Sequence, residues 1–191
     1  MADSEILIER GRGLKTIILV PTMYSETDLK ELLGSVPGDF ANDSKEFWTY
    51  VEEKLASASG KVSMVCLLWN EETVDTRARS ISEFLENKGA KISRLEDTTL
   101  LGEVRAWLDM SEEEGDLGSK VFYEESNREL RQGLRKMLDT LADLEVAVVF
   151  ADPACSPIFP EGLRVIKMTP FDPRDYLKRH MIRLRLTGKV D

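Results

Sequence analysis

Polar side chains that could bind a small molecule follow four apolar segments of the sequence. They carry hydroxyl, amide and carboxylate groups, which hydrogen-bond a ligand and fix its orientation. Ligands of open α/β sheets bind beyond the carboxyl ends of the strands, so these residues are expected to form one crevice. The predicted ligand-binding residues are Thr22, Tyr24, Ser25, Asn70, Glu71, Asp97, Asp152 and Ser156.

Two of these carboxylates are the predicted ligands of a divalent cation. Glu71 and Asp152 follow strands that are expected to be neighbours, and hard oxygen ligands from strand ends suit Mg²⁺ or Mn²⁺. Glu72, Glu96 and Asp97 could converge on the same site. The alternative is that acidic residues near helix starts only stabilise the helix dipole, by about 0.3–1 kcal/mol each. Mg²⁺ is the one cofactor that the sequence suggests.

The turn after the first apolar segment, PTMYSETD at 21–28, has two interpretations. In the first, Ser25 is the N-cap of a helix and Asp28 completes a capping box. In the second, the hydroxyls of Thr22, Tyr24 and Ser25 bind an anion at the helix N-terminus. The sequence contains no glycine-rich phosphate loop, so the capped turn from strand to helix is the favoured interpretation.

A cysteine nucleophile is a weaker alternative. Cys155 lies in the loop sequence DPACSP, and a catalytic thiol needs a base or a cation that lowers its pKa. The only histidine, His180, lies in the C-terminal segment, which would have to fold back over the crevice to reach Cys155. A single histidine also argues against Ser-His-Asp chemistry and histidine-rich zinc sites.

The elements that would position these residues alternate between apolar β-branched runs and helical spacing. The strand candidates are 16–20, 61–68, 91–95, 145–150 and 163–168, with 5–9 as a candidate edge strand. Helical spacing of apolar residues predicts helices around 47–55, 74–85, 97–110 and 130–141, and Gly89 is placed for a left-handed cap. Asp172, Pro173 and Asp175 predict a further helix start.

This order predicts one Rossmann-like α/β domain over residues 1–191, in three layers, with about five mainly parallel strands and helices on both faces. Strands that are apolar on both faces suit such a sheet. Two details stay open. The last strand could be antiparallel, or joined by an ordered loop, because the proline-rich link 151–162 leaves room for one short helix at most. Residues 181–186 could be a strand instead of the end of a helix.

Composition excludes several classes of function. The net charge of −9 argues against nucleic acid as the main partner. No apolar run approaches the roughly 18 residues of a membrane span and no secretory signal is evident, so the chain is expected to be cytoplasmic. The low content of Asn and Gln beside many Glu, Lys and Arg suggests a thermophilic origin.

The C-terminal segment 171–191 has the opposite charge to the rest of the chain. It holds six Lys or Arg against three Asp, a net of +3, and the remaining 20 basic and 32 acidic residues give −12. Complementary fields favour self-association or an acidic partner through Lys178, Arg179, Arg183 and Arg185. The alternative is that these cations only complement the helix dipole and the chain's own acidic surface.

The sequence thus predicts a non-catalytic binding or assembly protein on a Rossmann-like scaffold, with a homodimer as its expected state. The alternative is a small-molecule-binding or hydrolytic enzyme that uses the crevice, with Mg²⁺ as a candidate cofactor. Fold alone does not separate the two, because one fold hosts many functions.

Overall fold

The computed structural model describes residues 15–67, 76–94, 145–151 and 161–188, and also residues 128, 132, 134–136, 139–143, 153 and 159. Within these residues the chain forms a five-stranded, entirely parallel sheet with helices. The strands are β1 (Thr16–Pro21), β2 (Val62–Leu67), β3 (Lys91–Arg94), β4 (Val146–Ala151) and β5 (Arg164–Lys167). The predicted α/β class is confirmed, and each strand lies where an apolar run predicted it.

The order of the strands across the sheet is β3-β2-β4-β1-β5. Strand β4 is central, pairs with both β1 and β2, and is buried along its whole length. A strand in that position is covered on both faces, which explains why its sequence, VAVVFA, is apolar without alternation.

Four helices are described in full: α1 (Glu26–Leu33), α2 (Phe40–Ala58), α3 (Thr76–Asn87) and α4 (Pro173–Thr187). A short 3₁₀ turn, Ser59–Lys61, joins α2 to β2. The apolar residues at helical spacing in α2 and α3 are buried, as predicted, and α3 is followed by Gly89 with a φ of 101°. Several residues between 128 and 140 are also helical, including the buried Leu134.

The hydrophobic core lies on both faces of the sheet. On one face, α1, α2, α3 and α4 pack against Ile18, Val20, Val65, Val148 and Phe150. On the other face, Leu134 and Leu141 pack against alternate residues of the same strands, among them Ile17 and Val149. The period of two along β1 and β4 therefore divides their side chains between two layers.

The possibility that the last strand is antiparallel is wrong, because β5 pairs with β1 in parallel. The link 152–163 must then return from the end of β4 to the start of β5. Strand β4 is about 20 Å long, and the twelve residues of the link reach about 40–43 Å when extended, so the return needs no helix. Leu163 at the end of this link packs on the second face.

The strand alternative for residues 181–186 is also wrong, because α4 continues to Thr187 and ends at Gly188 with a φ of 67°. On this helix Met181 and Leu184 are half-buried, whereas Arg183 and Arg185 are exposed. The alternation in MIRLRL therefore does not mark a strand. The candidate edge strand 5–9 and the predicted helix 97–110 lie outside the described residues.

Candidate functional site

Strands β1 and β4 are neighbours in the sheet, and the predicted crevice residues Thr22, Tyr24, Ser25, Asp152 and Ser156 follow them in the sequence. The chain leaves β1 toward the face that α1 covers, whereas Phe159 and Leu163 in the connection after β4 pack on the opposite face. Open α/β sheets bind ligands beyond the carboxyl ends of adjacent strands, and a crevice at the boundary between β1 and β4 stays a prediction.

Thr22 links the carboxyl ends of β1 and β4 by hydrogen bonds. It is buried, its backbone N–H donates to the Ala151 carbonyl at 2.8 Å, and its hydroxyl donates to the same oxygen at 3.2 Å. Both of its donors are therefore used within the protein. Only the lone pairs of its hydroxyl remain to accept a hydrogen bond from a ligand.

Tyr24 and Ser25 have different surroundings. Tyr24 and its neighbour Met23 are buried in the core cluster of the α1 face. Ser25 is exposed and forms the predicted capping box, in which its hydroxyl accepts from the Asp28 N–H at 3.1 Å and the Asp28 carboxylate accepts from the Ser25 N–H at 2.8 Å. The capping interpretation of the turn is thus confirmed, and a ligand role for Thr22, Tyr24 and Ser25 stays a prediction.

The other predicted crevice residues lie outside the described residues: Asn70, Glu71, Asp97, Asp152 and Ser156. The same is true of Cys155. Within the described residues, no group of three His, Cys, Asp or Glu side chains could hold a metal ion. Because Glu71 and Asp152 are not among them, the magnesium site stays a prediction.

The one described cysteine is unsuited to covalent chemistry. Cys66 is buried in β2, and burial raises the pKa of its thiol to about 12. Since the thiolate is the nucleophile, a thiol in this environment is inert at neutral pH.

An ion-pair cluster joins the end of β5 to the start of α4. Asp172 is the N-cap of α4 and accepts from the Arg174 N–H at 2.9 Å, while its carboxylate pairs with the side chains of Lys167 and Arg174. Burial alone would raise the pKa of Asp172, but the hydrogen bonds from Arg174 and Lys167 outweigh it and hold this pKa well below its usual range. The cluster pairs one carboxylate with two cations and fixes the first turn of α4.

A second polar cluster, which the sequence did not predict, joins the middle of α4 to the residue before α2. The Tyr176 hydroxyl donates to Asp39 Oδ1 at 3.3 Å, His180 Nε2 lies 3.5 Å from the same oxygen, and Arg183 Nη1 lies 3.8 Å from Asp39 Oδ2. Tyr176 and His180 are buried and their ring centroids are 4.5 Å apart. Burial, followed by the nearby Asp39 carboxylate, raises the pKa of Tyr176.

Tyr176 and His180 are four residues apart, so the sequence could have predicted that they lie on the same face of α4. The contact with Asp39 could not be predicted in this way, because Asp39 is 137 residues away from Tyr176 in the sequence. Its position depends on the packing of α2 against α4, in which Phe40 contacts Tyr176 at a centroid distance of 6.4 Å.

The four predicted interface cations lie on α4 and are exposed, but two of them also have partners within the chain. Arg183 pairs with Asp39, and the Arg179 guanidinium lies 5.7 Å from the centre of the Tyr176 ring. For Lys178 and Arg185, the described part of the chain offers no ion-pair partner. They lie on the same side of the helix as Ile182 and Leu186, which are 47% and 80% exposed. We call Lys178, Ile182, Arg185 and Leu186 the outer face of α4.

No match was found when the chain was compared with protein-family models, with curated proteins and with solved structures. Among the described residues, no helix is both long enough and apolar enough to cross a membrane. The described geometry is therefore the basis for a functional proposal.

Proposed function

We propose that this protein is a non-catalytic assembly protein that forms a homodimer through the outer face of α4. The observation that carries the proposal is the exposure of two large apolar side chains, Ile182 and Leu186, one turn apart on one helix face. Scattered exposed apolar residues are common, but adjacent ones flanked by cations that have no ion-pair partner among the described residues have the composition of a contact surface.

A second copy of the chain is the proposed occupant because of charge. The segment 171–191 carries +3 and the rest of the chain −12, so each copy presents a surface that is electrostatically complementary to this segment. Lys178 and Arg185 are the cations best suited to an intermolecular contact. Arg183, which pairs with Asp39, supports the docking of α4 on its own domain, whereas Arg179 contacts Tyr176 of the same helix.

Simple energetics predicts that the dimer is weak and salt-dependent. Complete burial of an Ile or Leu side chain contributes about 1.5–3 kcal/mol, and Ile182 is already half-buried. A micromolar dissociation constant requires about 8 kcal/mol. A symmetric dimer buries four such side chains, two from each copy, but the cost of association offsets much of their contribution. Charge pairs and neighbouring contacts must supply the remainder.

Substitution of the apolar pair tests the proposal. The double variant Ile182→Ser, Leu186→Ser should be monomeric in sedimentation experiments at concentrations where the wild type is dimeric. The matched control is Leu32→Ser, Phe84→Ser, which removes exposed apolar side chains that are 50% and 40% exposed on α1 and α3. Equal association of both double variants and the wild type would contradict the proposed surface.

A further inference from the structure

His180 is the only histidine of the chain and is almost completely buried, at 1% exposure. It lies on the inner face of α4, where that helix packs against the start of α2. The proposed assembly surface does not use this side chain. A histidine is also the one residue whose ordinary pKa, about 6.5, lies in the physiological range.

The hydrogen-bonding environment suits the neutral imidazole. Nε2 lies 3.5 Å from Asp39 Oδ1, so the ring proton is assigned to Nε2. Nδ1 is buried and has no hydrogen-bond partner among the described residues. Protonation would place a second N–H at Nδ1, for which the described part of the chain offers no acceptor, and a buried donor without an acceptor is costly.

Charged groups face His180 from its own helix and from the elements packed against it. Arg179 and Arg183 belong to α4, Asp39 lies at the entry to α2, and Asp43 lies in the first turn of α2. Burial is the largest influence and lowers the pKa of His180. The two arginines lower it further, and the two carboxylates offset only part of this effect.

We propose that His180 is a pH-sensitive latch, in which the neutral imidazole holds α4 against α2 and its protonation loosens this contact. Because α4 carries the outer face, acidification would also weaken assembly. That consequence rests on the proposed function, whereas the latch itself concerns the docking of one helix within one chain.

A proton NMR titration of the full chain tests the first part, because the ring signals of a single histidine need no assignment. The midpoint should lie below about 6.5. Asp39→Asn should lower it further and Arg183→Gln should raise it, which a purely structural role for these residues would not require. A wild-type midpoint at or above 6.5 would overturn the latch.

Hydrogen exchange tests the second part, at about pH 7.5 and about pH 5.5, on either side of the ordinary histidine pKa. At concentrations below the onset of association, and after correction for intrinsic rates, the protection of α4 amides should fall by up to about tenfold at the lower pH. Amides of β4 that exchange through global unfolding should lose no more than α4 does, because global unfolding also releases His180. The variants His180→Gln and His180→Phe should abolish the pH effect on α4.

Unchanged protection of α4 in the wild type at the lower pH, or an unchanged loss in both His180 variants, would overturn the latch. If one variant fails to fold, the other variant and the wild-type titration still decide the result. Because these measurements follow α4 in the monomer, their failure would leave the sedimentation result for Ile182 and Leu186 unaffected.

Discussion

Thr22 donates two hydrogen bonds to one acceptor, the carbonyl of Ala151, with its N–H at 2.8 Å and its hydroxyl at 3.2 Å. This pair of contacts joins the carboxyl ends of β1 and β4 at the boundary where a ligand crevice was expected. The buried hydroxyl therefore has a structural role whether or not the crevice binds a ligand.

Replacing Thr22 by Val tests this structural role. Valine has nearly the same shape, and the Ala151 carbonyl would keep its bond from the backbone N–H, so the free energy of unfolding should fall by about 1 kcal/mol. Chemical denaturation measures this change, with Thr49→Val on the exposed side of α2 as the control. A variant as stable as the wild type would show that the hydroxyl bond contributes nothing.

The capping box at the start of α1 gives a second prediction. Ser25→Ala removes the acceptor for the Asp28 N–H, which lies 3.1 Å from the serine oxygen, and should lower the free energy of unfolding by about 1 kcal/mol. Ser35→Ala, at an exposed serine beyond the helix, is the matched control and should have little effect. Equal melting temperatures for Ser25→Ala and the wild type would disprove the capping role.

The Asp172 cluster predicts a dependence of stability on pH in the acid range. The pKa of Asp172 is lower in the folded chain than its ordinary value of about 3.9 in the unfolded chain. Its contribution to stability is therefore fully present above that value and is lost as the pH falls through the lower folded value. The latch at His180 acts in a different window, below about pH 6.5.

Asp172→Asn keeps a capping side chain but removes the charge that pairs with Lys167 and Arg174. It should cost about 1 kcal/mol at neutral pH and flatten the loss of stability below about pH 4. Denaturation curves at several pH values measure both effects, with Asp175→Asn in the first turn of the same helix as the control. An acid profile identical to that of the wild type would contradict the account of this cluster.

The hydroxyl of Tyr176 supplies one further prediction. Tyr176→Phe keeps the buried ring in its contacts with Phe40 and His180 but removes the bond to Asp39, so it should lower the free energy of unfolding by about 1 kcal/mol. Tyr50→Phe, at a half-buried tyrosine of α2, is the comparison. Chemical denaturation of both variants should show the larger loss at Tyr176.

The spacing of apolar residues predicted the strands and helices well, because the burial of side chains is periodic along each of them. The runs TIILV and EVAVVF identified β1 and β4, and Ser25 with Asp28 identified the start of α1. Local pattern could not show that β4 lies beside β1. Strand order is set by the packing of whole layers, so the use of the Thr22 hydroxyl by Ala151 could not be foreseen.

The same limit applies to the surroundings of α4. The sequence predicted its start at Asp172 and its exposed cations. It could not predict which of these cations are paired within the chain, because Asp39, the partner of Arg183, is brought near by the packing of α2 on α4. Because Arg183 pairs with Asp39, Lys178 and Arg185 are the better candidates for contacts between two copies of the chain.

Charge reversal at Lys178 and Arg185 tests whether these two residues form a contact surface or whether association depends only on the net charge of the chain. Lys178→Glu, Arg185→Glu should abolish association at low salt. Lys54→Glu, Lys61→Glu changes the net charge equally at positions outside α4, near the far end of α2, and should preserve association. Light scattering of both variants gives the comparison, and association that depends only on net charge would refute the assigned surface.

The most direct test of the central claim is sedimentation equilibrium of the wild-type chain at micromolar concentration in about 10 mM and about 1 M salt, over which the Debye length falls from about 30 Å to about 3 Å. We expect a dimer at low salt that dissociates as salt is added. A monomer at low salt would contradict self-association through α4, and a dimer insensitive to salt would contradict the role assigned to its charges.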